Sequence, residues 1–159
     1  MNNVLKFMVM MSPALAISCA GQSTAQIAAD VANLAGGIAA AAQTLRDGGM
    51  LPASQQTAVD DAVSALQAAA TAVAKATTTT AQQSATQQVV TAANAVLAAL
   101  AQVKSMPQNV TTILTAAQVL LPTIEALAGL PVSAAMGATS MMPDEAITIL
   151  SSAAATLHE

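Results

Sequence analysis

No aromatic residue follows Phe7 in this chain, so any core built past that point must be made of Ala, Leu, Val, Ile and Met. Ala is the commonest of these, and it has the highest helix propensity of any residue, with Leu and Gln close behind. Without aromatic bulk, a core closes only if its elements come close together, and Ala-lined helices can do so at the short end of the usual 8–10 Å axial separation. The expectation is helix nearly everywhere and essentially no sheet.

Apolar spacing agrees. Ile27, Val31, Leu34, Ile38, Ala41 and Leu45 recur at alternating steps of four and three, which draws one stripe along a helix over about 24–46. Ser23 or Thr24 offers a start cap, and Gly48-Gly49 after Arg46 offers a stop. Gly36-Gly37 interrupts the middle and reads either as a point of close backbone approach or as a kink. Val59, Val63, Leu66, Ala70 and Val73 repeat the spacing in a second helix from about Pro52 to Ala76. The run Thr77–Thr80 reads as a turn or weak joint, since Thr is stiff at χ1 and its hydroxyl competes for backbone groups. A third helix is expected over about 81–105, with Val89, Ala93, Val96, Leu100 and Val103 as its stripe.

Residues 108–128 form the most apolar segment, with Pro122 expected to kink it and Gly129 and Pro131 closing it. Residues 129–142 read as a loop, and a short last helix runs from Pro143 to about Leu157, with Asp144 and Glu145 in its favourable first turn. Similar helix lengths and short joints predict an all-α, up-down antiparallel bundle of three to four long helices plus a short C-terminal helix.

Charged residues are only 8% of the chain and the formal net charge is −4. Arg46, Lys75 and Lys104 are isolated from one another, so no basic patch exists to neutralise phosphates. With no aromatic past Phe7 there is also no base-stacking platform, and nucleic acid is not an expected partner.

The first nineteen residues, MNNVLKFMVMMSPALAISC, have a different logic. Lys6 and the free amine give a weakly positive start, Phe7 to Met11 are apolar, and small residues follow Pro13. This is the order of a secretory signal, and it is short against the roughly 20 residues that a spanning helix needs. It ends at the chain's single cysteine. Leu15-Ala16-Ile17-Ser18-Cys19 resembles the lipobox of bacterial lipoproteins. The resemblance implies diacylglyceryl transfer to the Cys19 thiol, cleavage after Ser18 and acylation of the new amine. It implies a signal peptide over 1–18, a lipidated terminus and short linker over 19–23, and a bundle over 24–159. Ala20, where an inner-membrane retention signal would usually place Asp, implies the outer membrane in a host that has one. An exported chain with one thiol cannot close an internal disulfide, so a lipid on Cys19 also accounts for the unpaired thiol.

Other candidate chemistry is thin. His158 sits alone beside the carboxyl end, whereas a metal site needs several converging ligands. Asp60 and Asp61 are adjacent and point in different directions on a helix, so they read as a solvated face. Glu125 interrupts the most apolar helix and, sharing a face with Thr111 and Gln118, is expected at the surface. Asn109-Val110-Thr111 matches a glycosylation acceptor, but the lipobox resemblance implies a bacterium, where such a match carries no weight. No nucleophile elbow, phosphate loop or Cys/His pair is present, so neither catalysis nor a cofactor is expected.

The expectation is therefore a membrane-tethered, non-enzymatic helical module of the bacterial envelope. Its partners would be membrane lipid through Cys19 and, at its helix faces, another protein or a second copy. The alternatives are a phage- or host-encoded lysis or envelope-disrupting factor and a small integral membrane protein, with 27–45 or 106–124 as the span.

Overall fold

The computed structural model describes residues 16–132 and 141–156, with side chains from residue 24 onward. Five helices account for nearly all of them: α1 (Ala16–Asp47), α2 (Ala53–Lys75), α3 (Thr79–Leu100), α4 (Gln108–Leu127) and α5 (Pro143–Ala155). The fold is all-α, as the three-four spacing predicts.

Direction follows from contacts at the helix ends. Arg46, at the end of α1, pairs with Asp60 near the start of α2. Gln55 Nε2, at the start of α2, donates to Gln102 Oε1 just past α3, at 3.3 Å. Gln83 Nε2, at the start of α3, donates to the carbonyl of Ala128 at the end of α4, at 3.0 Å. Leu150 and Ala154 of α5 lie on Gly37 and Gly36 of α1, while Asp144 in the first turn of α5 lies close enough to Asp30 for the two charges to repel. The helices thus run up, down, up, down, up.

α1 is the central helix, packing against all four others. From Ala35 to Ala42 every residue except Gly36 is buried. A helix buried on all sides must be apolar all round, and this stretch is built of Ala, Gly and Ile. On one side α2 and α3 form a tight hairpin, and on the other α4 and α5 pack together. Ile38, Leu66, Leu100, Leu120, Ile124 and Leu150 are among the largest fully buried side chains.

Gly36-Gly37 serves close approach. A Cβ on Gly36 would stand 2.6 Å from the Cβ of Ala154, and one on Gly37 would stand 3.2 Å from the Cα of Leu150. The two glycines let α5 lie on the α1 backbone.

Two ends use the same device. Gly49 has φ 65° and Gly129 has φ 68°, conformations that favour glycine. Met50 N–H then bonds the Leu45 carbonyl at 2.9 Å and Gly49 N–H the Arg46 carbonyl at 2.9 Å; Leu130 and Gly129 repeat this on Glu125 and Ala126. These are Schellman closures, and they satisfy carbonyls that the helix end would leave open. The threonine run divides α2 from α3: α2 stops at Lys75, and Thr78 caps α3 by accepting from Ala81 N–H at 3.2 Å. Most threonines within helices donate to the carbonyl four residues back, as Thr71, Thr91, Thr112 and Thr148 do at 2.9 Å. The hydroxyl is satisfied inside its own helix, so so many threonines are compatible with helix.

Some boundaries differ from expectation. The chain is already helical at Ala16, where the described residues begin, so the helix extends ahead of the expected Ser23 or Thr24 cap and includes residues 19–23. Ala, Gln and Ser in this stretch contain no breaker beyond Gly21, and helix elongation is cheap once nucleated. α3 ends at Leu100 and not near 105, because Val103 turns back with its N–H on the Leu100 carbonyl and its side chain buried. Pro122 stands inside α4 without ending it; the carbonyl of Gln118, an exposed residue, loses its usual partner.

Candidate functional site

Cys19 lies in α1, three residues after the described residues begin; its side chain is outside the described residues, as are residues 1–15 and His158. Between Cys19 and Thr24 the helix is continuous, a rise of roughly 7.5 Å at 1.5 Å per residue. Thr24 is already tied to the bundle, since its carbonyl accepts from Gln82 Nε2 of α3 at 3.2 Å. The expected lipidation residue therefore sits on a short helical post at one end of the bundle. The start of α1, the end of α2, the start of α3, the end of α4 and the start of α5 all gather at this end.

This end also holds the buried polar groups. Asp30, Gln82, Thr86 and Glu125 are the buried polar or charged residues among those described, and each lies in the half of its helix nearer this end. The opposite half of the core is apolar. Asp30 is 5% exposed, and its Oδ2 has no hydrogen-bond partner. Burial, followed by repulsion from Asp144, pushes the Asp30 carboxyl above its ordinary range. Thr86 is fully buried, and its hydroxyl is likewise without a partner.

Glu125 is a correction to the sequence reading, for it is only 4% exposed rather than at the surface. Thr111 and Gln118, which share its stripe, are exposed as expected. The difference is position along the helix: Glu125 lies in the last turn of α4, where the chain folds back through Gly129 and Leu130 N–H bonds the Glu125 carbonyl at 2.9 Å. The sequence reading treats Asp30 only as a charge near the 27–45 segment and not as a buried group, although the signal is present. It lies three residues after Ile27 and four before Leu34, on the apolar stripe itself.

Asp60 and Asp61 are not brought together as paired acids. Asp60 meets Arg46 with both side chains nearly half exposed, and Asp61 is exposed. Among the described residues no group of three His, Cys, Asp or Glu side chains is placed to hold a metal ion. An open groove of about 640 Å³ runs between α2 and α3, lined by Ala62, Ala65, Ala69, Gln87, Gln88 and Ala95 among others. It is a seam between small side chains and contains no titratable or nucleophilic cluster.

Two helical stretches, Thr24–Asp47 and Gln108–Leu127, are long and apolar enough to cross a membrane, with mean hydropathies of 1.2 and 1.5. The first lies near the N-terminus, and both are compatible with membrane association; a signal sequence or the core helix of a bundle has the same character. Compared with family models, curated proteins and solved structures, the chain matches none.

Proposed function

We propose that this chain is a lipid-anchored, non-enzymatic helical module of the bacterial envelope, held by a lipid on Cys19. The observation that carries the reading is the sequence Leu15-Ala16-Ile17-Ser18-Cys19, which ends a signal-like leader at the chain's single thiol. The bundle is compatible with it, since the helix that contains Cys19 leads directly into a packed helical domain. Ala20 directs the anchored protein to the outer membrane of a host that has one. Its action is structural or adaptor-like, through its exposed helix faces.

The competing reading is an integral membrane protein, favoured by the length and hydropathy of α1 and α4. One experiment separates the two. Cells expressing the wild type and Cys19→Ala are fed an alkyne fatty acid, and the membrane fraction is weighed as intact protein. The anchored reading expects label and the loss of residues 1–18 plus lipid mass in the wild type only. An unlabelled chain retaining Met1 would refute it, and a Cys19→Ala chain that resists alkaline extraction from membranes would favour a span.

A further inference from the structure

α5 is the shortest of the five helices, with 13 residues. Isolated helices shorter than about 12–15 residues are marginal in water, and Met142 gives α5 no side-chain cap. It therefore stays helical by docking. Ala146 and Leu150 are fully buried, and Leu150 and Ala154 lie on Gly37 and Gly36 of α1. One group beside this contact opposes it. Asp30 is buried with Oδ2 unpartnered, so its charged form lacks the solvation that water would give it. Helix register brings Asp144 to the same level. α1 and α5 run in the same direction, and Leu150 meets Gly37. Asp30 is seven residues before Gly37 and Asp144 six before Leu150, descents of roughly 10.5 and 9 Å at 1.5 Å per residue.

We propose that the α1–α5 contact is a pH-sensitive joint: α5 docks firmly while the Asp30 carboxyl is neutral and loosens when it is charged. The joint is independent of any lipid on Cys19. Departure of α5 returns Asp30 to water and takes Asp144 away, so both penalties on the charged form vanish together. Among the described residues, the groups around Asp30 supply no counter-ion. α5 brings Asp144 and Glu145, α4 brings Glu125 in its last turn, and α3 has no titratable residue between Thr79 and Leu100. α2 ends in Lys75, but its last turn shares a hollow with Ala25 and Ala28, on another face of α1. Arg46 pairs with Asp60 at the far end of the bundle, where Asp61 also lies. Burial, and then repulsion from Asp144, hold the Asp30 carboxyl above its ordinary 3.8 in the docked state. A docked state that binds the proton more tightly is favoured in acid. Its advantage is complete below 3.8 and is lost as pH rises through the raised value. Asp144 and Glu145 oppose this in part, because as anions they suit the positive end of α5.

Amide hydrogen exchange of the full chain reads the joint directly. Opening of 143–155 and of 79–100 is measured at about pH 4.5 and about pH 7.5, corrected for intrinsic amide rates. In the wild type, 143–155 is expected to open more often than 79–100, and several-fold more often at the higher pH than at the lower. Asp30→Asn keeps the shape and removes the charge, so 143–155 should stay equally protected at both pH values. Asp144→Asn keeps the buried charge and removes the repulsion, so a smaller rise is expected. Equal protection of 143–155 and 79–100 overturns the proposal, because α5 would then open only with the whole fold. So does opening of 143–155 that ignores pH while that of 79–100 follows it, which would mean that Asp30 stays buried when α5 leaves. A rise that persists unchanged in Asp30→Asn assigns the effect to another group and overturns it as well.

Discussion

Asp30 places a carboxylate inside the apolar stripe of α1, with Oδ2 unpartnered and Asp144 near it. Its folded-state pKa is raised above the ordinary 3.8, so the folded chain holds the proton more tightly than the unfolded chain. Its contribution to stability is therefore lost as pH rises from 3.8 through that raised value, and regained on acidification. Asp30→Asn is expected to stabilise the domain at neutral pH by on the order of 1 kcal/mol, the scale of a poorly satisfied buried group. The advantage should disappear at pH 3, where both side chains are neutral. Thermal unfolding of the pair across pH checks this; an advantage independent of pH would refute the assignment to charge. Ile38 and Leu100 are fully buried, whereas Asp61 is exposed. Truncating either aliphatic residue to Ala should cost about 2–5 kcal/mol, and Asp61→Ala less than about 0.5 kcal/mol. Denaturant melts showing the reverse order would overturn the face assignment. Both aliphatic positions are legible in the sequence, because periodicity reports a helical face. The burial of Glu125 is not, because periodicity says nothing of which end of a helix its neighbours cover.

At the scale of elements, the α1–α5 contact is the most sensitive to volume. Gly36→Ala gains about 0.5–1 kcal/mol of helix propensity but drives its Cβ onto that of Ala154, which cannot rotate away. Overpacking of this kind typically costs about 1–3 kcal/mol. The expected result is net loss, with faster amide exchange confined first to 143–155, and recovery when Ala154→Gly is added. Failure of that second change to rescue would mean the glycine serves something other than α5. The joint between α2 and α3 depends on a single cap, and Thr78→Ala should cost about 1 kcal/mol, read by chemical denaturation. Both features were half legible. The glycine pair announced an interruption and the threonine run a joint, but which partner α1 would meet at Gly36 depends on the path of the chain over a hundred residues later.

At the scale of the whole molecule, the described helices share one core around α1, and few large hydrophobic residues remain outside it. A chain beginning at Ala20 is therefore expected to stay in aqueous supernatant after mild centrifugation and to give a helical circular dichroism spectrum. Complete partition into detergent would instead support a spanning α1 or α4. The buried polar groups Asp30, Gln82, Thr86 and Glu125 all lie in the half of the bundle nearer the start of α1, so among the described residues the two halves of the core differ.

The sequence by itself determined the helical class, the rough limits of the helices, the closures at Gly49 and Gly129 and the lipobox-like end of the leader. All of these are local: propensity, three-four spacing and turn chemistry act within a few residues of chain. Only the tertiary structure decided that α1 is central, that Gly36 and Gly37 receive α5, and that Glu125 is buried where α4 ends. An Ala-rich chain has similar stripes on every helix, so pattern alone leaves the choice of neighbours nearly degenerate. Which stripe meets which is settled by how closely particular backbones can approach, and that depends on a few small residues far apart in the chain.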